Sequence, residues 1–172
     1  MAAARRASTD GRWILSNQGD GAGARTTFEF GRQGDLPLCG DWNGDGRDTV
    51  GIVRDGIWHL RNDLAGGSSQ MSFDFGRVSR GDVPITGDWN GDGRARVGIV
   101  RDGEWHLRHS LAGGDADLAY TYGRVLAGDR PVMGDWNGNG ISTPGIVRDG
   151  SWHLRFSHSG GDADTVIELP IP

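Results

Sequence analysis

Three short segments of this chain carry oxygen-bearing side chains at alternating positions, and each is followed by glycine. The segments begin at Asp41, Asp88 and Asp135, with Asn at position 3, Asp or Asn at position 5 and Gly at position 6. This spacing directs three oxygens to one point, and the glycine permits the sharp turn that brings the next carbonyl inward. Such a set of oxygen donors suits Ca²⁺. The alternative is a metal-free turn in which Asp and Asn accept hydrogen bonds from their own backbone.

The three loops belong to a repeat that covers most of the chain. Gly-Asp-Trp-Asn-Gly begins at residues 40, 87 and 134, a period of 47 residues. A second block, Gly-Ile-Val-Arg-Asp-Gly-x-Trp-His-Leu-Arg, begins at residues 51, 98 and 145 with the same period. A period of this length is typical of propellers and other repeat architectures.

One period contains the pattern of four short strands. We expect strands at 83–86, 97–101, 104–108 and 118–122, with Asp102-Gly103 as a hairpin turn between the second and third. In the third strand Trp105 and Leu107 alternate with His106 and Arg108, so the two pairs face opposite sides. Four antiparallel strands in one period match a propeller blade. The sequence therefore predicts an all-β fold, a β-propeller of four-stranded antiparallel blades.

The repeat also predicts how the chain is divided within this single propeller domain. Complete blades occupy 36–82, 83–129 and 130–172, each with a calcium-type loop, and a partial blade occupies 1–35. In the partial blade, Trp13 and Phe28 match the third and fourth strands of the others, and a second strand is expected near 6–10. The first strand and its loop are missing there.

The repeat resembles a known family. Asp-x-Asn-x-Asp-Gly, preceded by a Pro-led strand and followed by a Gly-Ile-Val strand, is similar to FG-GAP or VCBS-type repeats of the actinobacterial kind. The resemblance covers residues 13–169 and implies an integrin-α-like propeller, an extracellular or secreted location, and structural Ca²⁺. An EF-hand likeness ends at position 12, where Ile52, Ile99 and Ile146 replace the Glu of that motif.

The family's ligand positions are the side chains at 1, 3, 5 and 9 and the carbonyl at 7. The resemblance thus implies these ligands: Asp41, Asn43, Asp45, Arg47 and Thr49 in the first loop; Asp88, Asn90, Asp92 and Arg94 in the second; Asp135, Asn137, Asn139, Ile141 and Thr143 in the third. All three loops depart from the family's Asp at position 9. Arg96 stands there in the second loop, where its guanidinium could occupy the cation position. Asn139 removes a further charge, so the third loop should bind Ca²⁺ most weakly.

Composition excludes several classes of function. The net charge is −5, no Lys is present and no basic stripe is visible, which disfavours nucleic acid as a partner. No stretch is apolar enough to span a membrane, and the first ten residues do not form a signal peptide. The single cysteine, Cys39, fits a small strand residue rather than a nucleophile. Candidate catalytic histidines recur in every complete blade, as His59, His106 and His153, whereas an active site needs one; we therefore expect no enzyme activity.

Two binding functions remain open. The first is a calcium-stabilised, non-enzymatic binding or scaffold module with a protein partner. The second is a multivalent carbohydrate-binding propeller in which loop tryptophans line grooves between blades, namely Trp42, Trp89 and Trp136. Packing at the blade end is the alternative role for these rings.

The blade count bears on assembly. A propeller closes with about four to eight blades, and three and a half blades leave exposed sheet edges. Two chains could close one ring, a single chain could form a four-bladed ring with its C-terminal tail, or the chain could belong to a longer propeller. We favour a homodimer that closes one ring.

Overall fold

The structure is a computed structural model that describes residues 3–5, 11–16, 25–123 and 129–168. The described residues form four separate antiparallel sheets and no α-helix. Sheet 1 comprises β1 (Ala3–Arg5), β2 (Arg12–Ser16) and β3 (Arg25–Glu29). The predicted all-β class is confirmed.

Sheets 2, 3 and 4 each contain four strands joined in chain order. The strands of sheet 2 are β4 (Leu36–Gly40), β5 (Thr49–Arg54), β6 (Ile57–Leu60) and β7 (Met71–Asp74). The strands of sheet 3 are β8 (Val83–Gly87), β9 (Arg96–Arg101), β10 (Glu104–Leu107) and β11 (Leu118–Thr121). The strands of sheet 4 are β12 (Arg130–Gly134), β13 (Thr143–Arg148), β14 (Ser151–Leu154) and β15 (Thr165–Glu168). A short 3-10 turn, Val78–Arg80, precedes β8.

The four strands predicted in the 83–122 period are confirmed to within a residue or two. Asp102 and Gly103 adopt φ values of 49° and 85°, the left-handed pair that a two-residue hairpin requires. In sheet 1 the strand that pairs with β2 is β1, earlier than the predicted 6–10, and residues 6–10 lie outside the described part.

The hydrophobic core lies between the sheets. We call the face that carries the β2, β6, β10 or β14 tryptophan the front of a sheet, and the opposite face its back. The front of sheet 2 packs on the back of sheet 3 through a cluster that joins Trp58 and Phe75 to Val97 and Ile99. Equivalent clusters join sheet 1 to sheet 2 and sheet 3 to sheet 4. Sheets 2 and 3 are therefore covered on both faces, which explains why five successive residues of β5 and of β9 are buried.

A salt bridge lies at each of these three junctions. The carboxylate of Asp82, just before β8, accepts hydrogen bonds from Arg101 at the end of β9 at 2.8 and 2.7 Å. The same carboxylate accepts a bond from the backbone N–H of Arg77, which follows sheet 2. Equivalent pairs join Asp35 to Arg54 and Asp129 to Arg148. Gly76 lies at the same place, where an added Cβ would stand 2.7 Å from Cγ2 of Ile99, so this close approach requires glycine.

No helix in the described ranges is both long enough and apolar enough to cross a bilayer.

Candidate functional site

Each polar loop connects the first and second strands of its sheet and is organised by its first aspartate. In the first loop Oδ1 of Asp41 accepts hydrogen bonds from the N–H groups of Gly44 and Asp45 at 2.7 and 3.1 Å, and Oδ2 accepts one from Gly46 at 2.7 Å. Asp88 and Asp135 bind the equivalent three N–H groups of their own loops. The aspartate at position 1 therefore holds the turn in shape through its own backbone.

The side chains at positions 3 and 5 lie beside this aspartate. Oδ1 of Asn43 accepts a hydrogen bond from the N–H of Asp45 at 3.2 Å, and Oδ1 of Asp45 accepts one from Arg47 at 2.9 Å. The side-chain amide of Asn43 donates to Oδ2 of Asp45 at 3.0 Å. The fold thus brings the predicted ligands at positions 1, 3 and 5 into one turn, together with the residue of position 7.

The side chain at position 9, predicted as a ligand in the first and third loops, does not point its oxygen into the turn of the first loop. Thr49 is buried, and its hydroxyl donates to the carbonyl of Arg61 at 2.7 Å. In the second loop, Nη2 of Arg96 lies 2.6 Å from Oδ2 of Asp92, and its Nε donates to the carbonyl of His109 at 2.9 Å. The guanidinium of Arg96 therefore forms an ion pair with Asp92, the carboxylate at position 5 of the second loop. Thr143, at position 9 of the third loop, is also buried.

The donor chemistry of the three loops fits Ca²⁺ to different degrees. In the described part of the chain no group of three or more His, Cys, Asp and Glu side chains is placed to hold a metal ion. Each loop has an Asn among its oxygen donors. The first loop offers Asp41, Asn43, Asp45 and a backbone carbonyl, which suits a hard cation that completes its shell with water. The second loop fits less well because Arg96 neutralises Asp92. The third has one carboxylate, that of Asp135.

The loops also bind one another, which the sequence did not reveal. The N–H of Ala95, at position 8 of the second loop, donates to the carbonyl of Asp41 at 2.7 Å. The N–H of Ser142, at position 8 of the third loop, donates to the carbonyl of Asp88 at 2.6 Å. The one sequence signal is the small residue at position 8 of these two loops. The loops therefore link sheets 2, 3 and 4 along one end of the molecule.

The loop tryptophans take different places. Trp42 and Trp89 are only 3% and 4% exposed and belong to the clusters between sheets. An open groove of about 470 Å³ between sheets 2 and 3 includes Trp42 in its lining, but the ring offers almost no free face there. Trp136 is half-buried. Packing is thus the role that the structure gives Trp42 and Trp89, and neither ring is available to stack on a sugar.

The environment of Cys39 disfavours its ionised form. Burial, with a smaller contribution from the carboxylate of Asp48, raises the pKa of the Cys39 thiol to about 11. The thiol is therefore protonated at neutral pH, whereas the thiolate is the reactive form.

Comparison with protein-family models, with curated proteins and with solved structures found no significant match to this chain.

Proposed function

We propose that this chain is a calcium-stabilised β-propeller module of the FG-GAP or VCBS type that acts as a non-enzymatic binding or scaffold domain. The observation that carries the proposal is the line of polar loops, each shaped by an aspartate at position 1 and hydrogen-bonded to the next. The loop Asp and Asn residues and the histidines recur in sheets 2, 3 and 4. Such a recurring set suits a repeated structural role rather than one active site.

The packing of the sheets supports a propeller arrangement. Each sheet places its front on the back of the next, and the first strand of sheet 3, β8, contacts the first strands of sheets 2 and 4, β4 and β12. Blades that fan around a common axis have this arrangement, with the first strand of each blade innermost.

Calcium would stabilise the polar loops that connect the first and second strands of sheets 2, 3 and 4. A bound Ca²⁺ would neutralise the loop carboxylates and hold the turn rigid. In the first loop Asp41, Asn43, Asp45 and the Arg47 carbonyl would hold it. Since Asp41 is also the residue whose carbonyl binds Ala95, an ordered first loop would strengthen the junction between sheets 2 and 3.

The first test is calorimetric titration of chelator-treated protein with Ca²⁺, together with its melting temperature. We expect heat of binding and a raised melting temperature. Asp45→Asn, which gives the first loop the donors of the third, should weaken the tightest site about tenfold or more, because fewer carboxylates lower the affinity for Ca²⁺. Asp115→Asn, an exposed carboxylate outside the loops, is the control. Neither heat nor a thermal shift at millimolar Ca²⁺ would refute the calcium assignment.

A gain-of-function variant tests the second loop. Arg96→Thr removes the guanidinium from Asp92 and gives position 9 the residue of the first loop. We expect one additional Ca²⁺ site, or a clearly tighter one, in the same titration. An unchanged binding curve would show that Arg96 is not what limits the second loop.

A glycan screen separates the scaffold from the carbohydrate-binding alternative. Because Trp42 and Trp89 are buried, we expect no binding across sugar classes. Binding that is lost in a folded Trp136→Ala variant would favour the carbohydrate-binding function instead.

A further inference from the structure

The front face of sheet 4 lacks the cover that the other sheets have. Trp58 and Trp105 are fully buried by the following sheet, but their equivalent Trp152 is only half-buried. Ile167 pairs with Trp152 on the same face and is 42% exposed. Trp136 and Val147 are likewise half-buried where their equivalents in sheets 2 and 3 are buried. We call the exposed set the open face; it comprises Trp136, Val147, Trp152 and Ile167.

The residues of the open face are those of an internal junction. In sheets 2 and 3 the positions of Trp136, Val147 and Trp152 are buried in the clusters that receive the back of the next sheet, and the position of Ile167 is partly buried against them. The open face keeps two tryptophans and two aliphatic side chains at these positions, although the described part of the chain supplies no sheet to cover them. A contiguous apolar patch of this kind marks an interaction surface.

The matching surface is the back of sheet 1. Each junction joins the front of one sheet to the back of another, and sheet 1 is the one described sheet whose back meets no other in this chain. At the centre of that back stands Ile14, half-buried, where sheets 2, 3 and 4 have His59, His106 and His153. The back of sheet 1 thus carries an aliphatic side chain at a position that is histidine in the other three sheets. No buried cluster in the described ranges joins sheet 1 to sheet 4 of the same chain.

We propose that the open face of sheet 4 binds the back of sheet 1 in a second copy of this chain, and that the reciprocal contact closes a ring of two chains. Two chains contribute eight sheets, within the range of about four to eight blades that closed propellers have. The two-fold axis of such a ring makes both contacts identical. The inference rests on the packing of the sheets and is independent of calcium and of the ligand.

The test is the mass of the 172-residue chain in solution by light scattering and analytical ultracentrifugation, with and without Ca²⁺. We expect twice the chain mass of 18.4 kDa. A monomer at micromolar concentration would overturn the proposal and would leave the open face to another protein. A larger assembly would overturn the two-chain ring.

Two neighbouring residues of β15 provide a matched pair of variants. Ile167 faces the open side, whereas Val166 lies on the other face and is 55% exposed. Ile167→Arg should weaken dimerisation at least about tenfold, as charge in the centre of an apolar interface does, and Val166→Arg should leave it unchanged. Both sites are exposed, so both variants should fold, which near-UV circular dichroism checks. Equal dimerisation of the two variants would overturn the assignment of this face.

The other half of the interface is tested by Ile14→Arg. In the head-to-tail ring this change should also weaken dimerisation. In a dimer that joins two copies of sheet 4 face to face it should have no effect, and that result would overturn the pairing with sheet 1.

Discussion

At the scale of single residues, the first and second loops differ in the residue at position 9 and in the hydrogen bonding of their tryptophans. In the first loop the hydroxyl of Thr49 donates a hydrogen bond to the carbonyl of Arg61. Nε1 of Trp42 is buried and has no hydrogen-bond partner among the described residues. In the third loop, which also has Thr at position 9, Nε1 of Trp136 donates to the carbonyl of Thr143 at 2.8 Å.

The second loop resolves the same problem differently. Arg96 directs its Nε to the carbonyl of His109. This leaves the carbonyl of Arg108 to Nε1 of Trp89, which donates to it at 2.7 Å. The change from Thr to Arg at position 9 thus costs the second loop a free carboxylate but satisfies its tryptophan.

We predict that Trp89→Phe destabilises the protein more than Trp42→Phe does. Both changes remove similar buried area, but only Trp89 loses a hydrogen bond, which contributes about 1 kcal/mol. Chemical denaturation of the two variants measures the difference in the free energy of unfolding. Equal losses, or a larger loss for Trp42→Phe, would contradict the assigned hydrogen bonds.

At the scale of strands and connections, a buried aspartate joins the segment after sheet 2 to sheet 3, since Asp82 binds both the N–H of Arg77 and the guanidinium of Arg101. The side chain of Asp82 is 3% exposed and that of Arg101 is 34% exposed, so the carboxylate is the buried partner. Hydrogen bonding from Arg101 holds the pKa of Asp82 below its usual value, and the N–H of Arg77 adds to the effect against the opposing effect of burial. The carboxylate therefore contributes stability only while it is ionised.

We predict that Asp82→Asn destabilises the protein by about 2 kcal/mol at neutral pH, the scale of a charge-assisted hydrogen-bonded pair. The folded-state pKa is depressed, so this stability is fully present above the unfolded pKa of about 3.9 and is lost as the pH falls through the lower folded value. Denaturation of both proteins across acidic pH measures the difference, which should shrink below about pH 4. A difference that does not change with pH would show that the ionised carboxylate is not its source.

At the scale of the whole molecule, the repeat explains which features could be predicted. Strand bounds followed from the 47-residue period and from the positive-φ turn at Asp102-Gly103, because both are local. The hydrogen bonds that Asp41 accepts from its own loop were expected of a turn that begins with Asp, whereas calcium binding by the same loop stays a prediction. The hydrogen bond from Thr49 to the carbonyl of Arg61 was not predictable, since it joins the end of the loop to the residue that follows β6.

The burial of the loop tryptophans likewise depends on the neighbouring sheet. Trp42, Trp89 and Trp136 stand in the same local sequence, yet the first two are buried and the third is half-buried. The difference arises because sheets 2 and 3 are each followed by another sheet, and a sequence pattern within one repeat cannot express that. Side-chain burial in this architecture is a property of position along the row of sheets.

This dependence on neighbours predicts that stability varies with protein concentration. If the open face of sheet 4 is covered by a second copy, unfolding releases two chains, and mass action raises the melting temperature as concentration rises. A tenfold increase adds about 1.4 kcal/mol per dimer, or about 0.7 kcal/mol per chain, which corresponds to about 2 °C for a chain of this length. Calorimetric scans over a hundredfold range should show a rise for the wild type, and at each concentration a lower melting temperature for Ile167→Arg, whose dimer is weakened. A wild-type melting temperature that does not change would mean that sheet 4 is stable with its front exposed, and that its two tryptophans there serve another partner.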